Sequence, residues 1–522
     1  MGCRALQLLA TLVVLFSAAW PSSAAEKAPL ERGTAITDPA LLRKLDETNV
    51  LTISRLLWPE RNANFPLTTD RLFGELPQLA QIRPAIEAEF DRYVARHKAN
   101  SPGETIGVGE GIDVQLFDRA ALNSNQTRFV LAGIVNRMDR AYVSQDSCGE
   151  IRLIYRLVRF DGQGEYGKAA TRLPMTFNLV LKARHDGQTD REGKPVTCAE
   201  IARRWLGDGD WLDLIDRNSF PQDAMLDRIE TNIQIAFAPK SAVREFRTDY
   251  LLKVFKYDAG AKMFEEAPLE NQIDRDRLLV DGELRRDFKA WLLAPENLRA
   301  FDRGTALIPE KFLARAAIAL TPAGFEPSAL QPEFGLMQGE GQGKDNGDPV
   351  FSENDVVGAL KQAAARGIAL DNIRSVAGFQ RRLNDITCAG CHQTRGIGGF
   401  HFPGVDWLAD KPSNSTIVPA SPHFFGDQIR RRDILAAFRD GRQPDFSRGF
   451  ASRPQTRGST ELAGTEYQDG WGAHCYLQGP GPVGRDGSFS SWTCAEGLAC
   501  QVQSASSRMG MCFVTARRAG RK

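Results

Sequence analysis

The chain has 522 residues, 42% of them hydrophobic and 25% charged, a size and composition that exclude fibrous or disordered architectures and call for more than one core. Lys and Arg total 66 against 65 Asp and Glu, a formal charge of +1. That balance gives no sign of a nucleic-acid partner or an acidic lipid surface.

Met1 to Arg4 is a short cationic start, Ala5 to Trp20 a nearly unbroken apolar run, and Ser23-Ala24-Ala25 a patch of small residues. This pattern predicts a cleavable signal peptide over residues 1–25 and a periplasmic or secreted bacterial protein. The apolar run is too short for a membrane span of first choice, and no later segment qualifies, so no transmembrane segment is expected in the mature chain. Of nine cysteines, loss of Cys3 with the signal leaves Cys148, Cys198, Cys388, Cys391, Cys475, Cys494, Cys500 and Cys512. An oxidising compartment favours disulfides, and eight cysteines suit either four disulfides or three plus a haem-bearing pair.

Residues 26–335 read as an α+β domain with no role assigned by its pattern. Leu79, Ile82, Ile86, Phe90 and Val94 recur at helical spacing, and Pro84 is expected to bend that helix. Strands are expected over Phe129 to Val135, around Ile151, Leu153, Tyr155 and Leu157, and at Met175, Phe177, Leu179 and Leu181. Ile233, Ile235 and Phe237 mark another, and Leu251 to Tyr257 the next. Strands that follow one another without regular helices predict an antiparallel sheet. Cys148 precedes a strand and Cys198 opens a helix, and by elimination they are the pair for a disulfide in this domain.

Residues 281–320 read as helical again. Residues 336–350 form a Gly-rich linker without the ligand spacing of a calcium loop. A mainly α-helical domain is expected over 351–455, and a small disulfide-rich module over 465–522, where four cysteines leave three connectivities open.

Cys388-Ala389-Gly390-Cys391-His392 carries the chemistry. Two thiols three positions apart on a helical turn can reach both vinyl groups of one porphyrin, and the next residue then offers its imidazole to the iron. Shuffling this composition would give about 0.002 such matches per chain, so chance is a weak competitor. The other uses of a Cys-x-x-Cys pair fit less well. A thioredoxin-like pair opens a helix, whereas here Ile373, Val376, Phe379, Leu383 and Ile386 mark a helix running into Cys388. A zinc site needs a second ligand pair, for which His401 and His423 have no recognisable spacing. A plain disulfide would leave His392 unexplained.

The run from Val376 to Phe400, with that helix, the Cys-x-x-Cys-His turn and then Gly396, Gly398 and Gly399, resembles the haem-binding segment of c-type cytochromes. The resemblance implies one covalent haem c on Cys388 and Cys391, proximal iron ligation by His392, a cytochrome c-like fold for the surrounding domain and a redox partner protein. Many such proteins supply a downstream Met as second ligand, but no Met occurs between His392 and Met509. His423 and His401 are the candidate distal ligands, with an open sixth position the alternative. Two axial ligands predict electron transfer; an open position predicts a peroxidase-like enzyme. A third expectation is an exported binding or envelope protein in which Cys388 and Cys391 staple a turn. Arg381-Arg382 and Arg430-Arg431-Arg432 are read as solvated helix faces, with haem propionates as the other possible partners.

Overall fold

The structure, a computed structural model, describes residues 33–58, 66–143, 147–160, 170–185, 187–190, 192–207, 223–238, 247–320, 350–386, 427–448, 474–476, 498–501 and 509–514. The first body is built on a ten-stranded sheet. Its strands are β1 (Ala35–Ile36), β2 (Ile106–Gly107), β3 (Val114–Leu116), β4 (Thr127–Arg137), β5 (Glu150–Phe160), β6 (Ala170–Lys182), β7 (Leu226–Ala238), β8 (Arg247–Asp258), β9 (Met263–Ala267) and β10 (Ala316–Leu320). β4 to β8 are consecutive antiparallel neighbours, as the alternating patterns predict.

Proline shapes the middle of this sheet. β6 pairs with β7 from Met175↔Ile233 onward, and Pro174, just before it, has no N–H to give the ladder. Past that point β3 takes over the same edge of β7, with Leu116 opposite Ala236 and Gln115 opposite Phe237. A groove lined by Gln115, Phe117, Leu173, Pro174, Gln234 and Phe237 marks the divergence.

The helices follow in chain order: α1 (Pro39–Glu47), α2 (Ile53–Leu57), α3 (Thr69–Glu75), α4 (Ile82–Asn100), α5 (Cys198–Leu206), α6 (Arg275–Val280), α7 (Gly282–Leu292), α8 (Pro295–Arg303), α9 (Glu353–Ala365), α10 (Val376–Ile386) and α11 (Gln428–Arg439). α4 runs without a break through Pro84, which was expected to bend it. The proline sits in the first turn, where its missing N–H has no intrahelical partner to lose. α4 also makes two polar struts to β8. Tyr93 Oη donates to Asp249 at 2.6 Å, and the fully buried Lys253 Nζ donates to Glu89 at 3.0 Å and to Glu266 at 2.8 Å.

Two principal cores result. The first packs α1 to α5 and Leu435 of α11 against the sheet through Leu42, Phe90, Phe177, Ile233 and Phe255. The second gathers Ile273, Leu278, Phe288, Leu298, Phe301 and Phe312 with Phe351, Val356, Ala363, Phe379, Leu383 and Ile386. Residues 316–320, expected to be helical, form β10 and pair with β8. A disulfide joins Cys148 to Cys198, the pairing expected by elimination.

The expected mainly α-helical cytochrome c-like domain is not evident among the described residues, and the predicted fold class is corrected accordingly. α9 and α10 complete the core that residues 273–313 begin, while α11 lies against α5 of the sheet body. The physical reason lies in the apolar faces. Phe379, Leu383 and Ile386 need a partner surface, and α8 supplies it with Leu298 and Phe301. In the C-terminal region β11 (His474–Tyr476), β13 (Met509–Val514) and β12 (Leu498–Gln501) form a three-stranded antiparallel sheet, with position 500 opposite 512. The expected signal peptide and the linker at 336–349 lie outside the described residues.

Candidate functional site

Cys388, Cys391, His392, His401 and His423 also lie outside the described residues. Both flanks of their segment are described: α10 ends at Ile386, two positions before Cys388, and α11 starts at Gln428, five after His423. Each flank is fixed by buried polar chemistry that the hydrophobic pattern does not reveal.

The first flank hangs on Asp302, in the last turn of α8. Its carboxylate accepts three backbone N–H groups, from Asp371 at 3.0 Å, Asn372 at 2.7 Å and Ile373 at 2.6 Å. The carbonyl of Asp302 accepts from Asn372 Nδ2 at 3.0 Å and from Arg382 Nη2 at 2.8 Å. These bonds set where α10 begins and hold it midway. Arg382 Nη2 also donates to the carbonyl of Arg448 at 3.0 Å. Arg382 is 0% exposed, so the expected solvated face is corrected: the guanidinium satisfies carbonyls between elements.

The second flank is a cluster of arginines around two aspartates. Asp427 precedes α11, but its side chain does not cap the helix. It accepts instead from Arg430 Nε at 2.6 Å and Arg431 Nε at 2.9 Å, and lies 3.4 Å from Arg448 Nη2. Asp139, just after β4, accepts from Arg137 Nε at 2.9 Å, Arg430 Nη2 at 2.9 Å and Arg448 Nη2 at 2.8 Å. Arg431 is 2% exposed, against the expected solvated face. The Thr34 hydroxyl donates to Gln428 Oε1 and ties the same helix start to the strand-edge segment before β1.

The electrostatics follow from geometry. Burial alone would raise the Asp139 carboxyl, but the guanidiniums of Arg137, Arg431, Arg430 and Arg448 hold it well below the usual carboxylate range. Burial opposes ionisation of Asp427 in the same way, and Arg448, Arg430 and Arg431 hold its carboxyl down. Burial pushes Arg137 down to about 9, which leaves it protonated at neutral pH. A second cluster adjoins it through Arg137. Glu150 accepts from Arg140 at 2.8 Å and Arg152 at 2.9 Å and pairs with Arg228 at 3.0 Å, which holds its carboxyl well below the usual range against burial. Asp139, Asp427 and Glu150 are thus held ionised near neutral pH. Their chemistry is fixed charge and fixed position.

The sequence reading missed this network for a definable reason. On β5 the residues Ile151, Leu153, Tyr155 and Leu157 fill one face as expected, and period-2 logic assigns the other face to solvent. Glu150, Arg152 and Arg156 on that other face are instead buried. Asp139 and Asp427 next to arginines were the available signal. Among the described residues no group of three or more His, Cys, Asp or Glu is placed to hold a metal ion, and no helix is long and apolar enough to cross a membrane. No family model, curated protein or solved structure matches the chain.

Proposed function

We propose that the chain is an exported haem protein that transfers electrons through one haem c bound covalently at Cys388 and Cys391, with His392 as proximal iron ligand. The Cys388-Ala389-Gly390-Cys391-His392 run carries this reading. Its donor set is right for the group: two thiols for two thioethers and one imidazole for iron. The course of α10 supports it, because a helix ending at Ile386 leads into the pair, whereas a thioredoxin-like pair starts its helix. Pairing of Cys148 with Cys198 supports it further, since both leave the pool available to Cys388 and Cys391. The haem supplies one-electron chemistry; the chain's part is to hold it and to occupy or leave open the face opposite His392.

His423 or His401 would supply the second iron ligand in the electron-transfer reading. The lack of any Met between His392 and Met509 favours keeping a second reading, an enzyme of the peroxidase-like class with an open iron position. Expression with a haem-attachment apparatus, followed by denaturing electrophoresis and haem staining, tests the attachment. Carbon monoxide binding to the reduced protein separates the two functions: slow or absent binding supports electron transfer, and rapid binding by folded protein supports the open site.

A further inference from the structure

We propose that Arg448 is a positioning residue that locks the two flanks of the haem-attachment segment to each other, an inference that rests on the haem reading for its functional meaning. The residue meets both flanks with different atoms. Its carbonyl accepts from Arg382 of α10 at 3.0 Å, and its N–H donates to the carbonyl of Arg303, at the end of α8, at 2.7 Å. Its guanidinium points the other way: Nη2 lies 2.8 Å from Asp139 and 3.4 Å from Asp427. The backbone of Arg448 therefore belongs to the second core, while its side chain belongs to the charged cluster under α11.

Each flank also has an apolar seat of its own. α10 is seated by Phe379, Leu383 and Ile386, and α11 by Leu435 and by the bond from Arg430 to Asp139. Replacing the guanidinium removes the charged part of the tie and leaves both apolar seats in place. The backbone bonds of residue 448 survive any side chain. Ile386, where α10 ends, is thereby held relative to Asp427, which precedes α11, by the bonds of one residue. One nitrogen serves both carboxylates, so a lysine ammonium can substitute for it, whereas an apolar chain of similar length cannot.

The test compares Arg448→Met and Arg448→Lys with the wild-type full-length chain, each with the Cys148–Cys198 disulfide intact. Cleavage within residues 387–426 by a dilute protease, followed by mass spectrometry, is expected to run at least ~10-fold faster in Arg448→Met and to return to within about threefold of wild type in Arg448→Lys. In haem-loaded protein the ferric spectroscopic signature and the reduction potential are expected to move in Arg448→Met and to be restored by lysine. Wild-type cleavage and an unchanged signature in Arg448→Met overturn the proposal, as does a lysine variant that behaves like methionine. If Arg448→Met loses its far-UV dichroism, Arg448→Gln, whose amide is too short to reach Asp139, removes the same guanidinium with a polar side chain and is held to the same outcomes. A wild-type chain without haem sinks the functional reading alone, because the cleavage rates still decide whether Arg448 locks the flanks.

Discussion

Asp139→Asn removes the centre of the charged cluster with almost no change in volume. In the native chain the Asp139 carboxylate takes four guanidinium bonds, from Arg137 at 2.9 and 3.2 Å, Arg430 at 2.9 Å and Arg448 at 2.8 Å. An amide keeps one acceptor oxygen and turns an NH2 toward donors that cannot accept. Arg430, Arg431 and Arg448 are then left to share Asp427, and Arg137 loses its two bonds to the carboxylate. Removing one member of a buried ionic set costs about 3–5 kcal/mol, because the remaining charges stay out of water without their counterion. The pair-by-pair alternative, counting each bond as a surface ion pair worth under ~1 kcal/mol, does not apply to an aspartate that is 2% exposed. Denaturant unfolding of the isolated variant, followed by far-UV dichroism, should show a loss in that range. A loss below about 1 kcal/mol would refute the claim that the cluster is buried and mutually dependent.

Acid should act through the same groups. Asp139 and Asp427 have folded pKa values below their usual 3.8, and Glu150 and Glu230 below 4.5. Groups depressed on folding contribute stability that is present above the unfolded pKa and lost as pH falls toward the folded one, so unfolding free energy should decline progressively below about pH 4.5. A pH titration of the denaturation midpoint checks this; a flat profile from pH 6 to 3 would contradict it. Gly149→Ala should cost at least ~2 kcal/mol, since residue 149 holds φ +94° and an added Cβ would sit 2.5 Å from the Arg137 carbonyl oxygen. Thermal unfolding of that variant, with a midpoint equal to wild type, would count against the backbone geometry there. Reducing the Cys148–Cys198 bond, which closes a span of 50 residues, should cost about 4 kcal/mol by loop entropy, measured as the difference in unfolding free energy with and without reductant. In the C-terminal sheet, opposite positions on antiparallel strands lie within disulfide reach, so peptide mapping should return Cys500 with Cys512.

The strands were legible because each apolar face repeats at period two: Met175, Phe177, Leu179 and Leu181 line one core on β6 as their spacing demands. α10 was legible for the same reason at helical period, through Ile373, Phe379, Leu383 and Ile386. What those residues pack against was not. A periodic face says that a helix needs a partner and nothing about which one, and here the partner, α8, comes about 80 residues earlier in the chain. The expected self-contained helical domain fails on that point. The proposed attachment motif is readable without any fold, because the chemistry it offers depends on local spacing. Its supports are not, because Asp302, Arg382, Arg448 and Asp139 meet only in three dimensions, and charged residues read by type alone are assigned to solvent.

The claim that matters most is covalent haem on Cys388 and Cys391. The direct measurement is the intact mass and haem stain of the chain made in a host that attaches haem outside the cytoplasm, beside a Cys388→Ala, Cys391→Ala double variant. The account predicts a wild-type band that stains after denaturation, a mass increased by one haem, and neither in the variant. An unstained wild-type chain with its cysteines paired or free would contradict it.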